Sequence, residues 1–295
     1  MDGKGAQRSE RRCPRERAND ERAAIRGSDR RHHRVDRIEK GASGTLIVLG
    51  CRVDAVGRDE AVEQIAALAN AGGAALVVTL GVEMVMAAQH DEEFRRIVNS
   101  AALVTCDTVG LMLASRLRGG PLRERVTGVE LVDALAARSA ACGDARLYLL
   151  GGRGDTALRA AAVLRGTYPG VAIAGARDGY FRPEESDAVA AAIRASGANV
   201  LLAGLGSPKQ EQWLARYLGT SGCGVGIGIG GSLDIYAGNV VRAPAAFRRT
   251  GLEWAYRLAK EPRRWRRQLA LPRFALAVLG ETLRGRKAKK TSSDR

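Results

Sequence analysis

The sequence predicts an α/β fold, and three observations carry this prediction. Short β-branched and leucine-rich runs alternate with alanine-rich segments of helical periodicity from residue 45 onward. Each apolar run is followed by a segment long enough to cross back over a parallel sheet. Glycines and polar residues gather where the apolar runs end, which is typical of a ligand-binding sheet edge. We therefore expect a Rossmann-like, doubly wound, mostly parallel sheet covered on both faces.

The elements follow from these patterns in chain order. The expected strands are TLIVLGCRV, AALVVTL, ALVTCD, ARLYLLGG, VAIAGARDG, NVLLAGLG and CGVGIGIGG. The expected helices are RDEAVEQIAALANA, VEMVMAAQHDEEFRRIVNS as one or two helices, VGLMLASRLRG, GVELVDALAARSAACG, GDTALRAAAVLRGTYPG, EESDAVAAAIRASG and KQEQWLARYLG.

The charge of the chain is concentrated at its two ends. The 295 residues carry a formal net charge of +15, yet residues 41–241 hold 18 Lys and Arg against 20 Asp and Glu. Residues 1–40 hold 13 against 8, and residues 242–295 hold 16 against 4. We divide the chain into a disordered basic extension (1–40), an α/β core (41–241), a helical appendage (242–280) and a disordered basic tail (281–295).

Several classes of protein are disfavoured by composition. Residues 1–40 lack the apolar run of a secretory signal, and the chain has no stretch of about 18 apolar residues that could span a membrane. The five cysteines show no CxxC spacing, which indicates reduced, mostly buried thiols and argues against a zinc site or a disulfide framework. We expect the protein in the cytoplasm or peripherally on the inner face of the membrane.

Two strand ends and one loop hold the residues most suited to chemistry. Asp107 follows the LVTC run and either caps the next helix or serves as a general base. In GLGSPKQE, the loop before the helix lets backbone N–H groups reach a phosphate or sugar, with donors from Lys209 and Gln210. Arg125, in LRERVTG, is either a solvated charge or a fork for a diphosphate.

Two other kinds of site are poorly supported. GIGIGG at 226–231 formally fits GxGxxG, but Gly and Ile alternate within one strand here, so a close-packed strand is the simpler interpretation. The three histidines have no metal-ligand spacing and no D-x-D is present. We expect no metal and no cofactor, and leaving-group charge would be met by Arg, Lys and backbone dipoles.

Together the motifs resemble the WecG/TagA/CpsF glycosyltransferase family. The resemblance is carried by TLGVEMVMAAQHDEEFRRIVNSAALVTCDTVGLMLASRLRG, ERVTGVEL, GLGSPKQE and GGSLDIYAGNVVRAPAAFRRTGLEWAYRLAKEPRRWRRQ, in order over about residues 45–275. It implies an inverting, metal-independent transferase that moves a sugar, often of the N-acetylmannosamine type, from a UDP-sugar to a polyprenyl-diphosphate-linked sugar. The products would be teichoic acid, capsular or exopolysaccharide units.

The resemblance also assigns roles to residues. It places the base that deprotonates the acceptor hydroxyl on Asp107. The substrate-binding residues that we predict are Thr79, Gly81, Arg125, Gly206, Lys209, Gln210, Gly230 and Gly231. Arginines that close over the site and meet phosphate fall on Arg257, Arg264 and Arg267.

Two positions depart from the family pattern. The usual Asn of T-x-N is Gly81, and the usual D-G is Asp107-Thr108. The missing amide leaves the identity of the donor sugar open.

Two alternative functions compete with the transferase. A nucleic-acid-binding protein could use the basic C-terminal tail, and a nicotinamide-dependent oxidoreductase could use the Rossmann-like core. Against nucleic acid, the tail interleaves its arginines with Trp254, Trp265, Phe274 and several leucines, which favours an anionic membrane surface. Pro262 and Pro272 suggest short docking helices rather than a span. Homo-oligomerisation is compatible with the sequence but not indicated by it.

Overall fold

The computed structural model describes residues 44–244, residues 247, 256 and 258, and residues 269–293, with side chains up to residue 283. A parallel six-stranded sheet runs through the described core, in the order β4-β3-β8-β7-β5-β6. A separate antiparallel pair, β1-β2, precedes it. The α/β fold predicted from the alternation of strands and helices is confirmed.

The strands are β1 (Thr45–Val48), β2 (Cys51–Asp54), β3 (Ala75–Leu80), β4 (Leu103–Cys106), β5 (Leu147–Gly151), β6 (Ile173–Arg177), β7 (Val200–Gly204) and β8 (Val225–Gly228). The helices are α1 (Arg58–Ala69), α2 (Val82–Ala87), α3 (Glu92–Ser100), α4 (Val109–Leu117), α5 (Gly128–Cys142), α6 (Thr156–Thr167), α7 (Ser186–Ala195), α8 (Lys209–Tyr217), α9 (Ser232–Tyr236) and α10 (Ala270–Ser293), with a 3₁₀ turn at Pro183–Glu185.

Alternate residues of each central strand enter two separate apolar layers. On β3, Val78 and Leu80 face one layer, whereas Val77 faces the other. The first layer is completed by α2, α3, α4, α7, α8 and α10, and the second by α1, α5, α6 and α9. Because both faces are covered, the strands are apolar almost throughout, and ligands can enter only at the strand ends.

The segment TLIVLGCRV is not the single strand that we predicted. It forms the hairpin β1-β2, whose two turn residues, Leu49 and Gly50, have φ of 48° and 77°. Two successive positive φ values belong to a tight hairpin turn. The prediction was wrong because a leucine in that conformation is uncommon and leaves little trace in the sequence.

The glycines of β8 make room for a helix. A Cβ on Gly226 would lie 2.7 Å from a methyl of Leu214, and one on Gly228 would lie 2.7 Å from the Gln210 amide. Both partners belong to α8. This confirms the close-packed strand in GIGIGG and removes the reason to read the motif as a dinucleotide fingerprint.

Helix α10 lies against the core instead of standing apart from it. Phe274 and Val278 are buried in the first apolar layer, where α10 contacts α2 and α4, and Glu281 pairs with Arg118 at the end of α4. We had expected Phe274 to face the membrane, and that expectation was wrong. Leu276, Leu279 and Leu283 are exposed on the opposite side.

Two further features of α10 differ from expectation. Pro272 lies in its first turn, where proline is tolerated, and so does not divide it. The helix continues to Ser293, through residues for which we expected disorder. Among the described residues, none of the helices is both long and apolar enough to cross a membrane.

The thiols agree with the sequence in part. Cys51, Cys106 and Cys223 are free and buried, as expected. Cys142 is disulfide-bonded, so the expectation of a reduced thiol was wrong there. Cys13 lies outside the described residues.

Candidate active site

The C-terminal ends of β3 and β4 bring two predicted residues to one place. Parallel pairing aligns Leu80 with Cys106, and the Asp107 N–H donates to the Leu80 carbonyl at 2.9 Å. Asp107 therefore leaves the sheet directly beside the Thr79 to Gly81 turn. This is the sheet edge at which the pattern of strand ends predicted a site.

The Arg125 loop is held against the same edge. The Val126 N–H donates to the Cys106 carbonyl at 2.8 Å, and the Thr105 hydroxyl donates to the Val126 carbonyl at 2.9 Å. Burial, and next the Asp107 carboxylate, raise the pKa of the Cys106 thiol to about 12, while Arg125 acts in the opposite direction. The fold thus brings a carboxylate and a guanidinium from distant parts of the sequence close to one buried thiol.

Thr79 joins β3 to the end of β8. Its side chain is 7% exposed, and its hydroxyl donates to the Gly228 carbonyl at 2.7 Å. The hydroxyl therefore anchors the turn at Gly228 to Gly231, where β8 ends.

Gln210 supports the same turn from α8. Its side-chain oxygen accepts from the Gly230 N–H at 3.1 Å, and its amide nitrogen donates to Glu211 at 2.7 Å. Both residues are buried, and burial raises the pKa of the Glu211 carboxyl to about 7. Gln210, which we predicted to bind substrate, thus makes these hydrogen bonds within the protein and supports the glycine turn.

The remaining predicted residues of the core lie around this turn. Gly206 is exposed with φ of 79°, and Lys209 is exposed at the start of α8 with its ammonium 5.3 Å from the Phe181 ring centre. Gly230 has φ of 53°, and Gly231 precedes α9. These residues lie just beyond the C-terminal ends of β7 and β8.

The N-terminus of α5 packs against the turn that follows β8. The N-terminus of α5 has a capping box, in which the Thr127 hydroxyl accepts from the Glu130 N–H and Glu130 accepts from the Thr127 N–H. A Cβ on Gly128 would lie 2.9 Å from the Ile229 carbonyl oxygen. The Arg125 loop and the end of β8 are therefore in close contact, which requires glycine at this position.

Two further residues at this edge were not predicted from the sequence. Arg153 follows the glycines at the end of β5, and its guanidinium lies 4.7 Å from the ring centre of Tyr180, which follows β6. Tyr180 is 68% exposed. The glycines around Arg153, within residues 151–154, could have pointed to that residue. Nothing in the sequence around Tyr180 distinguishes it from any other tyrosine in a loop.

Thr108 lies between Asp107 and the first turn of α4. Its hydroxyl oxygen is buried and has no hydrogen-bond partner among the described residues. The residue stands next to Asp107 and faces Gly81, since a Cβ at position 81 would lie 3.3 Å from the Thr108 methyl.

The predicted phosphate contacts Arg257, Arg264 and Arg267 lie outside the described residues, as do Trp254 and Trp265. Within the described parts of the chain, His, Cys, Asp and Glu form no group of three or more that could hold a metal ion.

Comparison with known proteins identifies the family. A sequence profile of the glycosyl transferase WecG/TagA/CpsF family matches residues 46–288. The chain is 34% identical over 205 residues to the N-acetylglucosaminyldiphosphoundecaprenol N-acetyl-beta-D-mannosaminyltransferase of Bacillus spizizenii, covering 70% of this chain and 79% of that protein. It is 34% identical over 207 residues to the Bacillus subtilis protein of the same name, covering 70% of this chain and 80% of the relative.

The match spans the core and reaches into α10, so the nucleic-acid and oxidoreductase alternatives are set aside. The chain is a glycosyltransferase of the WecG/TagA/CpsF family.

Proposed function

We propose that this chain is an inverting transferase that moves an N-acetylmannosamine-type sugar from a UDP-sugar to a polyprenyl-diphosphate-linked sugar, in cell-surface polysaccharide synthesis. The observation that carries the proposal is the convergence of Asp107, the Arg125 loop and the Thr79 turn at one sheet edge. The two named relatives, which act on N-acetylglucosaminyldiphosphoundecaprenol, support the class of acceptor.

Asp107 is the proposed base. A sugar hydroxyl is a poor nucleophile until a carboxylate accepts its proton in the transition state. The acceptor oxygen forms its bond to the anomeric carbon on the face opposite UDP, its proton passes to Asp107, and UDP leaves with the electrons of the broken C–O bond. Attack from the opposite face inverts the anomeric configuration.

In this proposal, arginine guanidinium groups stabilise the departing diphosphate. Arg125 is the proposed contact within the core, because its loop is bonded to the end of β4 beside Asp107. Arg257, Arg264 and Arg267 are proposed to add charge from the appendage. Paired N–H donors match phosphate oxygens geometrically and are strong in a partly dehydrated cleft.

The nucleotide end of the donor is proposed to lie toward β5 and β6. Gly152 and Gly154, with φ of 70° and 60°, shape an open loop there before α6. The exposed Tyr180 ring offers a flat surface on which the uracil ring can stack, and Arg153 beside it offers a positive charge. Both lie at the sheet edge that also carries Asp107.

The appendage is proposed to rest on the anionic inner membrane surface. Leu276, Leu279 and Leu283 repeat at helical spacing on the exposed side of α10, and the neighbouring α4 exposes Leu113 and Leu117. A helix that buries one apolar face in its own core and exposes another suits an interfacial position. The acceptor lipid would be met at that surface.

The test is a panel of UDP-sugars with a short polyprenyl-diphospho-N-acetylglucosamine, scored for UDP release and for the lipid product. Wild-type protein should transfer one of these sugars, and Asp107→Asn should lower kcat by at least about 100-fold, as expected for loss of a general base. Asp59→Asn, which changes an exposed acid on α1, is the matched control. Undiminished turnover by Asp107→Asn would remove the catalytic assignment.

A further inference from the structure

A carboxylate borders the side-chain space of Gly81. Glu83 is exposed in the first turn of α2, and a Cβ at position 81 would lie 3.2 Å from one of its carboxylate oxygens. This separation is tighter than ordinary van der Waals contact. Gly81 has φ of −109°, which any residue can adopt, so the backbone does not call for glycine here. The missing side chain instead leaves room for the Glu83 carboxylate to lie over the end of β3.

Glu83 stands beside the proposed base. The Asp107 N–H donates to the carbonyl of Leu80, at the end of β3. A Cβ on Gly110, three residues after Asp107, would lie 2.6 Å from a methyl of Val82. The first turns of α2 and α4 are therefore in contact, and the Glu83 carboxylate lies at the same sheet edge as Asp107.

The protein itself does not engage this carboxylate. Within the parts of the chain that the structure describes, the Glu83 side chain takes part in no hydrogen bond and no ion pair, whereas the exposed Asp59 and Glu92 pair with neighbouring arginines. An ionised carboxylate only accepts hydrogen bonds, and it repels phosphate. The substrate groups that suit Glu83 are therefore sugar hydroxyls and an acetamido N–H.

The order of the strands places Glu83 on the acceptor side of the site. β4 and β3 form one end of the sheet, and β5 and β6, toward which the nucleotide is proposed to lie, form the other. With strands about 4.8 Å apart, β6 lies about 19 Å from β3. Helix α10, whose exposed leucines are proposed to meet the membrane that carries the acceptor, packs against α2.

We infer that the Glu83 carboxylate binds the acceptor sugar, by accepting hydrogen bonds from its hydroxyl or acetamido N–H groups, and so holds the attacking hydroxyl toward Asp107. This inference rests on the proposed function. It makes Glu83 an acceptor-binding residue, while the proton of the attacking hydroxyl still passes to Asp107.

The first experiment measures KM for each of the two substrates in the wild type and in Glu83→Ala. The acceptor is a short polyprenyl-diphospho-N-acetylglucosamine in detergent micelles, so that vesicle binding does not contribute, and the donor is the UDP-sugar that the wild type uses. We expect Glu83→Ala to raise KM for the acceptor about tenfold, because hydrogen bonds to a charged group are lost, and to leave KM for the UDP-sugar unchanged. Glu93→Ala, which removes an exposed acid from the first turn of α3, is the matched control.

The possible results separate this inference from the proposed function. KM does not depend on the fraction of protein that is folded, so lost stability cannot imitate the effect. An unchanged KM for the acceptor in Glu83→Ala overturns the inference, and so does a rise in KM for the UDP-sugar alone. If the wild type transfers no sugar from any UDP-sugar, the proposed function itself fails and this inference falls with it.

The space beside position 81 provides a second test. Gly81→Ala should raise KM for the acceptor, because the new methyl displaces the Glu83 carboxylate. The same change should have little further effect in Glu83→Ala, since the effects of residues that share one contact do not add. If Gly81→Ala raises KM for the acceptor equally in both backgrounds, the carboxylate does not act from this space and the inference is overturned.

Discussion

The Thr79 hydroxyl donates to the Gly228 carbonyl across two neighbouring strands, at 2.7 Å. This bond joins the end of β3 to the turn that Gln210 also holds, through Gly230. The turn is thus fixed from two sides by buried polar groups, so its position depends on both.

We predict that Thr79→Val displaces this turn, whereas Thr79→Ser preserves it. The valine leaves the Gly228 carbonyl without its side-chain donor, which should cost about 1–2 kcal/mol in the free energy of unfolding and about tenfold in kcat/KM. Chemical denaturation and steady-state kinetics measure the two effects. Equal activity of the valine and serine variants would show that the hydroxyl does not position the turn.

Glu211 should make stability depend on pH. Burial raises its folded-state pKa from 4.5 to about 7, so the folded protein holds a proton that the unfolded chain releases. This contribution to stability is complete below pH 4.5 and is lost as pH rises through 7. Relative to Glu211→Gln, which cannot ionise, the wild type should lose about 3 kcal/mol over that interval. Denaturant titrations of both proteins at several pH values test this, and a pH-independent difference would contradict it.

The docking of α10 should depend on Phe274. Its ring is buried, and its edge would lie 3.8 Å from a Cβ at Gly110 in α4. Phe274→Ala should weaken the docking by about 3 kcal/mol and raise the hydrogen exchange of residues 270–283. Leu276→Ala, on the same helix but 71% exposed, is the control and should leave exchange unchanged. Equal protection in both variants would refute the role of Phe274.

Membrane binding should depend on the exposed leucines of α10. Leu276→Glu combined with Leu279→Glu should weaken binding to phosphatidylglycerol vesicles at least about tenfold, because each leucine buried in lipid contributes about 2 kcal/mol. Tm should not change. Leu158→Glu, at a site on α6 that is 59% exposed, serves as the matched control. If the double variant and the Leu158→Glu control sediment equally with vesicles, the exposed leucines of α10 do not form the membrane-binding surface.

The sequence was sufficient to predict the layered architecture and the sheet edge at which the candidate site lies. Periodicity reports which residues are buried, and strand ends follow from it, so Asp107 and Thr79 could be placed without coordinates. The hairpin at Leu49 and Gly50 could not be predicted, because its turn lacks the usual Asn-Gly signal.

Contacts between distant segments of the chain were also beyond prediction from the sequence. The sequence predicted that Phe274 faces lipid, whereas the fold buries its ring inside the protein. The hydrogen bonds that Gln210 makes with Gly230 and Glu211 could not be predicted from the sequence either. Which polar group is already satisfied depends on tertiary packing, and no local pattern records it.

Helix α4 carries Asp107 and Thr108 immediately before its first turn and exposes Leu113 and Leu117 farther along. Its nine residues span about 14 Å. Leu113 and Leu117 are one turn apart on the same side of the helix, so resting both on lipid, as proposed, would lay the axis of α4 along the bilayer surface. Asp107 would then stand close to the plane of the headgroups, where the diphosphate of a lipid-linked acceptor lies.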